Sequence, residues 1–125
     1  MATVGIGLTL GGMTHLPMTD DAHFDADVLE ADRPVLVEFT AAWCPPCRVM
    51  APVLAELAGE RDDLRLVALD VDANQATAAR YDVLSMPTFV LFDRGVPVGR
   101  LIGSRPKRRL VRELDELLEQ QPAGR

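Results

Sequence analysis

The sequence has two cysteines, and both lie in one motif, Cys44-Pro45-Pro46-Cys47. An apolar run from Val35 to Thr40 precedes the motif and predicts a buried strand, and the residues after the motif predict a helix. At a helix start, residues i and i+3 lie about 5–6 Å apart, and a disulfide needs Cα atoms about 4.4–6.8 Å apart. The same backbone can therefore hold the pair as two thiols or as a disulfide, which a reversible two-electron carrier requires.

The composition limits the class of protein. A chain of 125 residues, 48% hydrophobic and 26% charged, can bury a core as one domain. Two cysteines cannot build a disulfide framework, so they are expected to act chemically. The net charge of −6 argues against nucleic acid as the main partner. No apolar stretch approaches the roughly 20 residues of a membrane span, so we expect no membrane insertion.

The ends of the chain differ in composition from its middle. Residues 1–12 lack charge and contain four glycines, so we expect a flexible extension there, with Met13 as an alternative start. The weak apolar stretch at the start carries no basic residue and is not typical of a signal peptide, so a cytoplasmic location is expected. We expect one domain over 13–121 and a short tail over 122–125.

Hydrophobic periodicity predicts the element order βαβαβαββα. The strands are expected at 14–18, 35–40, 64–71, 88–92 and 96–102. The helices are expected after Thr19-Asp20-Asp21, from the cysteine motif to about Gly59, at 74–81 and at about 106–121. Parallel units followed by an antiparallel hairpin predict an α/β fold with a mixed sheet and helices on both faces. Pro97 cannot donate to a ladder, so the last strand should lie at a sheet edge.

The stretch from Val35 to Arg48 resembles the strand, active-site loop and helix start of the thioredoxin family. Pro52 occupies the position where the family kinks that helix, Met86-Pro87-Thr88 is similar to its cis-proline loop, and Gly103 matches its late-strand glycine. The resemblance covers about 13–118. It implies the thioredoxin fold, a mixed central β-sheet flanked by helices on both faces.

Three positions depart from the family pattern. Pro45 replaces the glycine that most members carry between the cysteines, and Glu38 replaces a buried aspartate. Ala68 occupies the position where many members place a lysine near that acid.

Cys44 is the expected attacking thiol. It precedes the predicted helix, where free backbone N–H groups and the positive end of the helix dipole favour a thiolate. We expect Cys47 to be more buried, to stay protonated until needed, and then to resolve the mixed disulfide. Pro45 and Pro46 remove two N–H donors, which leaves the Cys47 amide as the nearest donor. The Cys44 thiol should therefore be somewhat less acidic than in a glycine-proline motif.

Glu38 interrupts an otherwise apolar strand. Burial of a lone carboxylate is costly and raises its pKa, which makes Glu38 a candidate for proton transfer. The resemblance implies that the acid here takes and returns the proton of the inner thiol, often through water. The alternative is that the longer glutamate side chain reaches solvent at the end of the strand.

The resemblance also implies a substrate-binding region beside the cysteines. It implies that Pro87 is cis and that the Met86 backbone pairs with an extended substrate segment, with Trp43 and Gly103 nearby. Trp43, Met86 and Ile102 would form a weakly polar docking patch. The alternatives are a plain strand-initiating Pro87 and a core position for Trp43.

The resemblance implies a protein disulfide reductase with no bound cofactor. The sequence gives no sign of oligomer formation, so we expect a monomer. Its oxidised form would be reduced by a thioredoxin reductase, a flavoprotein that takes electrons from NADPH. A zinc site would need two more ligands, and only His15 and His23 remain, so no metal is expected. Other open alternatives are a purely structural thiol pair, a thiol oxidant or isomerase, and a binding module that uses the fold only for docking.

Overall fold

Residues 16–121 are described by a computed structural model, and within them four strands form one mixed sheet. The strands are β1 (Val35–Thr40), β2 (Arg65–Asp70), β3 (Thr88–Asp93) and β4 (Val96–Ile102). Their order across the sheet is β2-β1-β3-β4. β1 runs parallel to β2 and antiparallel to β3, and β3 pairs antiparallel with β4. The predicted mixed sheet is confirmed. The predictions for residues 1–12, Met13 and 122–125 fall outside the described residues.

The helices lie close to their predicted positions. They are a short π-helical segment (Asp25–Leu29), α1 (Pro45–Glu60), α2 (Gln75–Arg80) and α3 (Lys107–Glu119). Asp20 accepts a hydrogen bond from the His23 N–H at 2.8 Å, as expected of a helix-start residue. Asp21 instead serves α2, because its carboxylate accepts the N–H and the hydroxyl of Thr77 at 2.9 and 2.6 Å.

The first predicted strand is reduced to one bridge in the described residues. Met18 pairs in parallel with Ala68 of β2. The Thr19 N–H donates to the Ala68 carbonyl, and the Ala68 N–H donates to the Pro17 carbonyl, both at 2.9 Å. This pairing brings Met18 to the outer edge of β2, and residues 14–15 of the predicted strand lie outside the described part of the chain.

The alternation of side chains along β1 divides the core into two layers. Val35, Val37 and Phe39 belong to a buried cluster on one face, together with Phe24, Val28, Ala78 and Phe92. Leu36 belongs to the cluster on the other face, where α1 and α3 contribute Met50, Leu54, Leu57, Leu110 and Leu114. A fully buried side chain of this kind contributes about 1.5–3 kcal/mol. Glu38 has the parity of Leu36 and so lies on the face covered by α1.

The β3–β4 hairpin depends on a glycine. Arg94 and Gly95 both have positive φ, 55° and 79°, the pattern of a two-residue turn whose twist matches the flanking strands. A Cβ at Gly95 would lie 2.9 Å from the Leu29 carbonyl oxygen. β4 forms one edge of the sheet, so the edge position predicted from Pro97 is confirmed.

Candidate active site

Cys44 and Cys47 are joined by a disulfide, and their Cα atoms lie 5.3 Å apart. Cys44 is the N-cap of α1, with extended backbone angles, and Cys47 lies in the first helical turn. Pro45 and Pro46 occupy the first helical positions, where a missing N–H removes no intrahelical bond. The two prolines therefore fix the start of the helix without weakening it, and this start holds the sulfurs at bonding distance.

The backbone around Cys44 offers its sulfur one close N–H donor. The Cys47 N–H donates to Cys44 Sγ at 3.2 Å, as expected once both prolines have removed their own N–H groups. The Met86 carbonyl oxygen lies 3.5 Å from the same sulfur. The structure corrects one expectation, because Cys44 is 2% exposed and Cys47 4%, so Cys47 is not the more buried residue in the oxidised form. The buried Cys44 sulfur lies against these two backbone groups.

A second loop reaches the cysteines from the start of β3. The Met86–Pro87 peptide is cis, as the family resemblance implied. The Gly103 N–H donates to the Pro87 carbonyl oxygen at 2.8 Å. Gly103 has a φ of +95°, a conformation that favours glycine. The end of β4 is thereby fastened to the loop that contacts Cys44.

Trp43 lies at the surface and is 61% exposed, so its alternative core position is wrong. Its indole Nε1 donates to Asp72 Oδ2 at 2.7 Å, which fixes the ring beside the motif. Ile102 is 58% exposed, and Met86 is partly buried. Val49, two residues beyond Cys47, is also exposed and was not singled out from the sequence. Its position outside the apolar face of α1 is the signal that could have revealed it.

Glu38 is 6% exposed, so its carboxylate does not reach solvent at the end of the strand as the alternative would require. Its Oε2 is buried and has no hydrogen-bond partner among the described residues. Burial raises the pKa of Glu38 from 4.5 to about 7. The carboxyl group can therefore gain or lose a proton near neutral pH.

Glu38 and Cys47 line the same cavity, which has a volume of about 290 Å³. The other residues of its lining are mostly small or apolar, and they come from β1, α1, β2 and the segment before the first helix: Leu16, Met18, Thr40, Ala41, Ala42, Arg48, Ala51, Leu54, Ala68 and Asp70. Glu38, Thr40, Arg48 and Asp70 make part of the lining polar, and the cavity is large enough for several water molecules. The buried acid and the inner cysteine therefore border the same cavity.

No group of three or more His, Cys, Asp or Glu side chains in the described range 16–121 is placed to hold a metal ion. The His23 ring lies 2.7 Å from the Asp20 carboxylate, which raises the pKa of the imidazole through that hydrogen bond. His15 lies outside the described residues. Among the described helices, none has the length and apolar character needed to cross a membrane.

Comparison with known proteins gives the same assignment along most of the chain. The thioredoxin family model matches residues 15–116. A thioredoxin of Mycolicibacterium smegmatis is 50% identical over 104 residues, which cover 81% of this chain and 92% of the relative. A thioredoxin of Mycobacterium tuberculosis is 50% identical over 99 residues, 78% of this chain and 85% of the relative.

A further relative combines two proteins in one chain. The bifunctional thioredoxin reductase/thioredoxin of Mycobacterium leprae is 48% identical over 99 residues, 78% of this chain and 22% of the relative. The matched region of this chain includes the disulfide at the start of α1, the cis Met86–Pro87 peptide and the buried acid of β1. This chain belongs to the thioredoxin family, and it is a thiol–disulfide oxidoreductase with Cys44 and Cys47 as its redox-active pair.

Proposed function

We propose that the chain reduces disulfides in other proteins, with Cys44 as the nucleophile and Cys47 as the resolving thiol. The Cys44 thiolate attacks one sulfur of a substrate disulfide, forms a mixed disulfide and releases the first substrate thiolate. The Cys47 thiolate then attacks Cys44 Sγ and releases the second substrate thiolate, which leaves the Cys44–Cys47 disulfide. Two electrons pass to the substrate. The proposal is supported mainly by the disulfide at the helix start, where the Cys47 N–H also donates a hydrogen bond to Cys44 Sγ.

Glu38 is the proposed proton acceptor for the Cys47 thiol. The two groups line one cavity, and burial places the pKa of Glu38 at about 7. A general base works best when its pKa lies near the operating pH. The unpartnered Oε2 leaves the carboxylate free to bind a proton directly or through a water molecule in the cavity.

Substrate docking is assigned to what we call the docking edge, which comprises Met86, Pro87, Ile102 and Gly103. The Met86 carbonyl lies beside Cys44 Sγ, so an extended substrate segment that pairs with this backbone would bring its disulfide to the nucleophile. Trp43, which is exposed and hydrogen-bonded to Asp72, supplies apolar surface next to Cys44 in the chain. Apolar side chains of this kind suit partner proteins more than small polar substrates.

The proposed electron donor for the oxidised form is a thioredoxin reductase that draws electrons from NADPH. Recycling of this kind is typical of the family, and one relative is named a bifunctional thioredoxin reductase/thioredoxin. The chain itself needs no bound cofactor for the exchange, because both electrons move between sulfur atoms. Cytoplasmic location and a monomeric state complete the proposal.

The proposal is tested by reduction of insulin disulfides with NADPH and a thioredoxin reductase. The wild type should turn over insulin, the Cys44→Ser and Cys47→Ser variants should not, and Cys47→Ser should accumulate a mixed disulfide at Cys44. Turnover by Cys44→Ser would overturn the assignment. The variant with both cysteines replaced by serine tests the alternative of a binding module. If it binds a partner protein as well as the wild type does, and the wild type shows no turnover, the chain is a binding module.

A further inference from the structure

Arg105 is a buried arginine in the loop between β4 and α3, and its side chain is 5% exposed. Its Nη2 donates to the Ile102 carbonyl at 2.6 Å, and its Nε and Nη2 donate to the Gly103 carbonyl at 3.3 and 3.2 Å. Its Nη1 donates to Glu113 Oε1 at 2.6 Å. The guanidinium therefore binds two consecutive backbone carbonyls, that of the last residue of β4 and that of the first loop residue, and one carboxylate of α3.

These contacts continue to the reactive sulfur. The Gly103 N–H donates to the Pro87 carbonyl, and the neighbouring Met86 carbonyl lies 3.5 Å from Cys44 Sγ. A Cβ built at Gly103 would meet nothing within 4 Å, so side-chain packing does not hold this residue in place. The position of Gly103 therefore depends on the hydrogen bonds of its backbone. Its N–H donates to Pro87, and its carbonyl oxygen accepts from the Arg105 guanidinium.

We propose that Arg105 is a positioning residue for protein substrates, because it holds the Ile102 and Gly103 carbonyls so that the docking edge keeps its geometry beside Cys44. The inference rests on the proposed function of the docking edge. Arg105 touches no reacting atom in this assignment. It acts through Gly103 and Pro87, and it should matter for substrates that dock along a backbone.

Only an arginine can make all the side-chain hydrogen bonds that Arg105 makes to the two carbonyls and to Glu113. A guanidinium presents donors in a rigid planar fork and can serve several acceptors at once, whereas a lysine ammonium is a compact point charge on a flexible stem. The Arg105 N–H also donates to Met50 Sδ at 3.4 Å, which ties the loop to α1 one turn beyond Cys47. The loop is therefore hydrogen-bonded to α1 through Met50 and to α3 through Glu113.

Glu113 supplies the countercharge. Desolvation raises the pKa of its carboxyl, but the hydrogen bonds from Arg105 and Arg109 outweigh this effect, so the pKa lies below its usual value. Glu113 is therefore ionised at neutral pH, and the buried guanidinium is paired. Arg109 is a useful comparison, because its Nε donates to Glu113 Oε2 at 3.1 Å and its half-exposed side chain is directed to that carboxylate.

The test compares Arg105→Met and Arg105→Lys with the control Arg109→Met. Each protein is reduced beforehand, and its second-order rate constant for a single turnover is measured with insulin and with a small aromatic disulfide that does not dock along a backbone. Arg105→Met should lose about tenfold in this rate constant for insulin and stay within about twofold of wild type on the small disulfide. Arg105→Lys should lose about threefold on insulin. Arg109→Met should match the wild type with both substrates.

Hydrogen exchange of the Gly103 amide supplies a direct structural readout. Its protection should fall in Arg105→Met and not in Arg109→Met, while urea unfolding shows that each variant is folded under assay conditions. Equal losses on both substrates, or insulin kinetics of both Arg105 variants equal to those of Arg109→Met, would overturn the inference. A wild type that reduces neither disulfide would instead overturn the proposed function. If Arg105→Met fails to fold, Arg105→Lys and its Gly103 exchange rate decide the question.

Discussion

Glu38 lies directly opposite Ala68 in the parallel pairing of β1 with β2. The methyl group of Ala68 gives the buried carboxylate no cation and no hydrogen bond, and Oε2 is left without a partner among residues 16–121. Desolvation is therefore the cause of the raised pKa of Glu38, about 7 against an ordinary 4.5. The residue at position 68 of β2 therefore influences the pKa of the acid beside the cysteine pair.

A lysine at position 68 should lower the pKa of Glu38. An opposite charge within about 4–6 Å of a carboxylate favours its ionised form and lowers its pKa by about 1–3 units. The Ala68→Lys variant should therefore titrate Glu38 at a clearly lower pH than the wild type. NMR titration of the Glu38 carboxyl carbon in the oxidised protein measures this directly. Ala68→Met is the control with a similar stem and no charge, and a pKa equally low in that variant would contradict the electrostatic explanation.

The raised pKa of Glu38 also predicts the pH dependence of stability. The native state holds this proton up to about pH 7, whereas the unfolded chain releases it near 4.5. Stability from this group is thus fully present below pH 4.5 and is lost as pH rises through 7. The difference between the native and unfolded pKa of Glu38 corresponds to about 3 kcal/mol in the free energy of unfolding. This value is an upper bound, because the site is not wholly enclosed.

The Glu38→Gln variant removes this dependence. We expect it to gain stability relative to wild type by about 2–3 kcal/mol between pH 4.5 and pH 8. Urea unfolding of the oxidised proteins across that range is the measurement, since the disulfide keeps the cysteines from titrating. Parallel stability curves for the two proteins would show that Glu38 has the same pKa folded and unfolded.

Much of the fold could be predicted from local patterns in the sequence. The β4 bounds were predicted correctly, because the turn residues Asp93-Arg94-Gly95 and the apolar runs beside them fix the hairpin. The strand before the first helix was less predictable, since its pairing with Ala68 is made by backbone groups that carry no side-chain signal.

In the candidate site, too, residues with a local sequence signal were predicted and residues without one were not. Cys44 and Cys47 were identified by their spacing at a predicted helix start, and Glu38 was identified because it interrupts an apolar strand. Arg105 was not, because an arginine in a loop just before a basic helix start is ordinarily a solvated residue. Only the three-dimensional structure shows that its guanidinium turns inward to the Ile102 and Gly103 carbonyls.

The glycine of the hairpin should be intolerant of a side chain. In Gly95→Ala, the new Cβ would meet the Leu29 carbonyl oxygen at 2.9 Å, and φ of +79° is unfavourable for any residue with a Cβ. A loss of about 1–3 kcal/mol in the free energy of unfolding is expected. Gly59→Ala is the matched control, because its Cβ would meet nothing within 4 Å and alanine favours a helix, which predicts a gain of about 0.5–1 kcal/mol. Urea denaturation of both variants should give changes of opposite sign, and a neutral Gly95→Ala would refute the steric argument.

The double-proline motif should make the Cys44 thiol less acidic than it would be with one proline. The Cys47 amide donates to Cys44 Sγ at 3.2 Å, and the nitrogens of Pro45 and Pro46 carry no hydrogen. Pro45→Gly restores one N–H at the helix start, where hydrogen bonds to a thiolate stabilise it and lower its pKa. The variant should therefore show a lower pKa for Cys44, measured by the ultraviolet absorbance of the thiolate or by the pH dependence of alkylation in the reduced protein.

Pro97→Ala, on the exposed edge strand β4, controls for the loss of a proline elsewhere and should leave the Cys44 pKa unchanged. An unchanged or higher Cys44 pKa in Pro45→Gly would mean that the number of backbone donors does not set the acidity of this thiol.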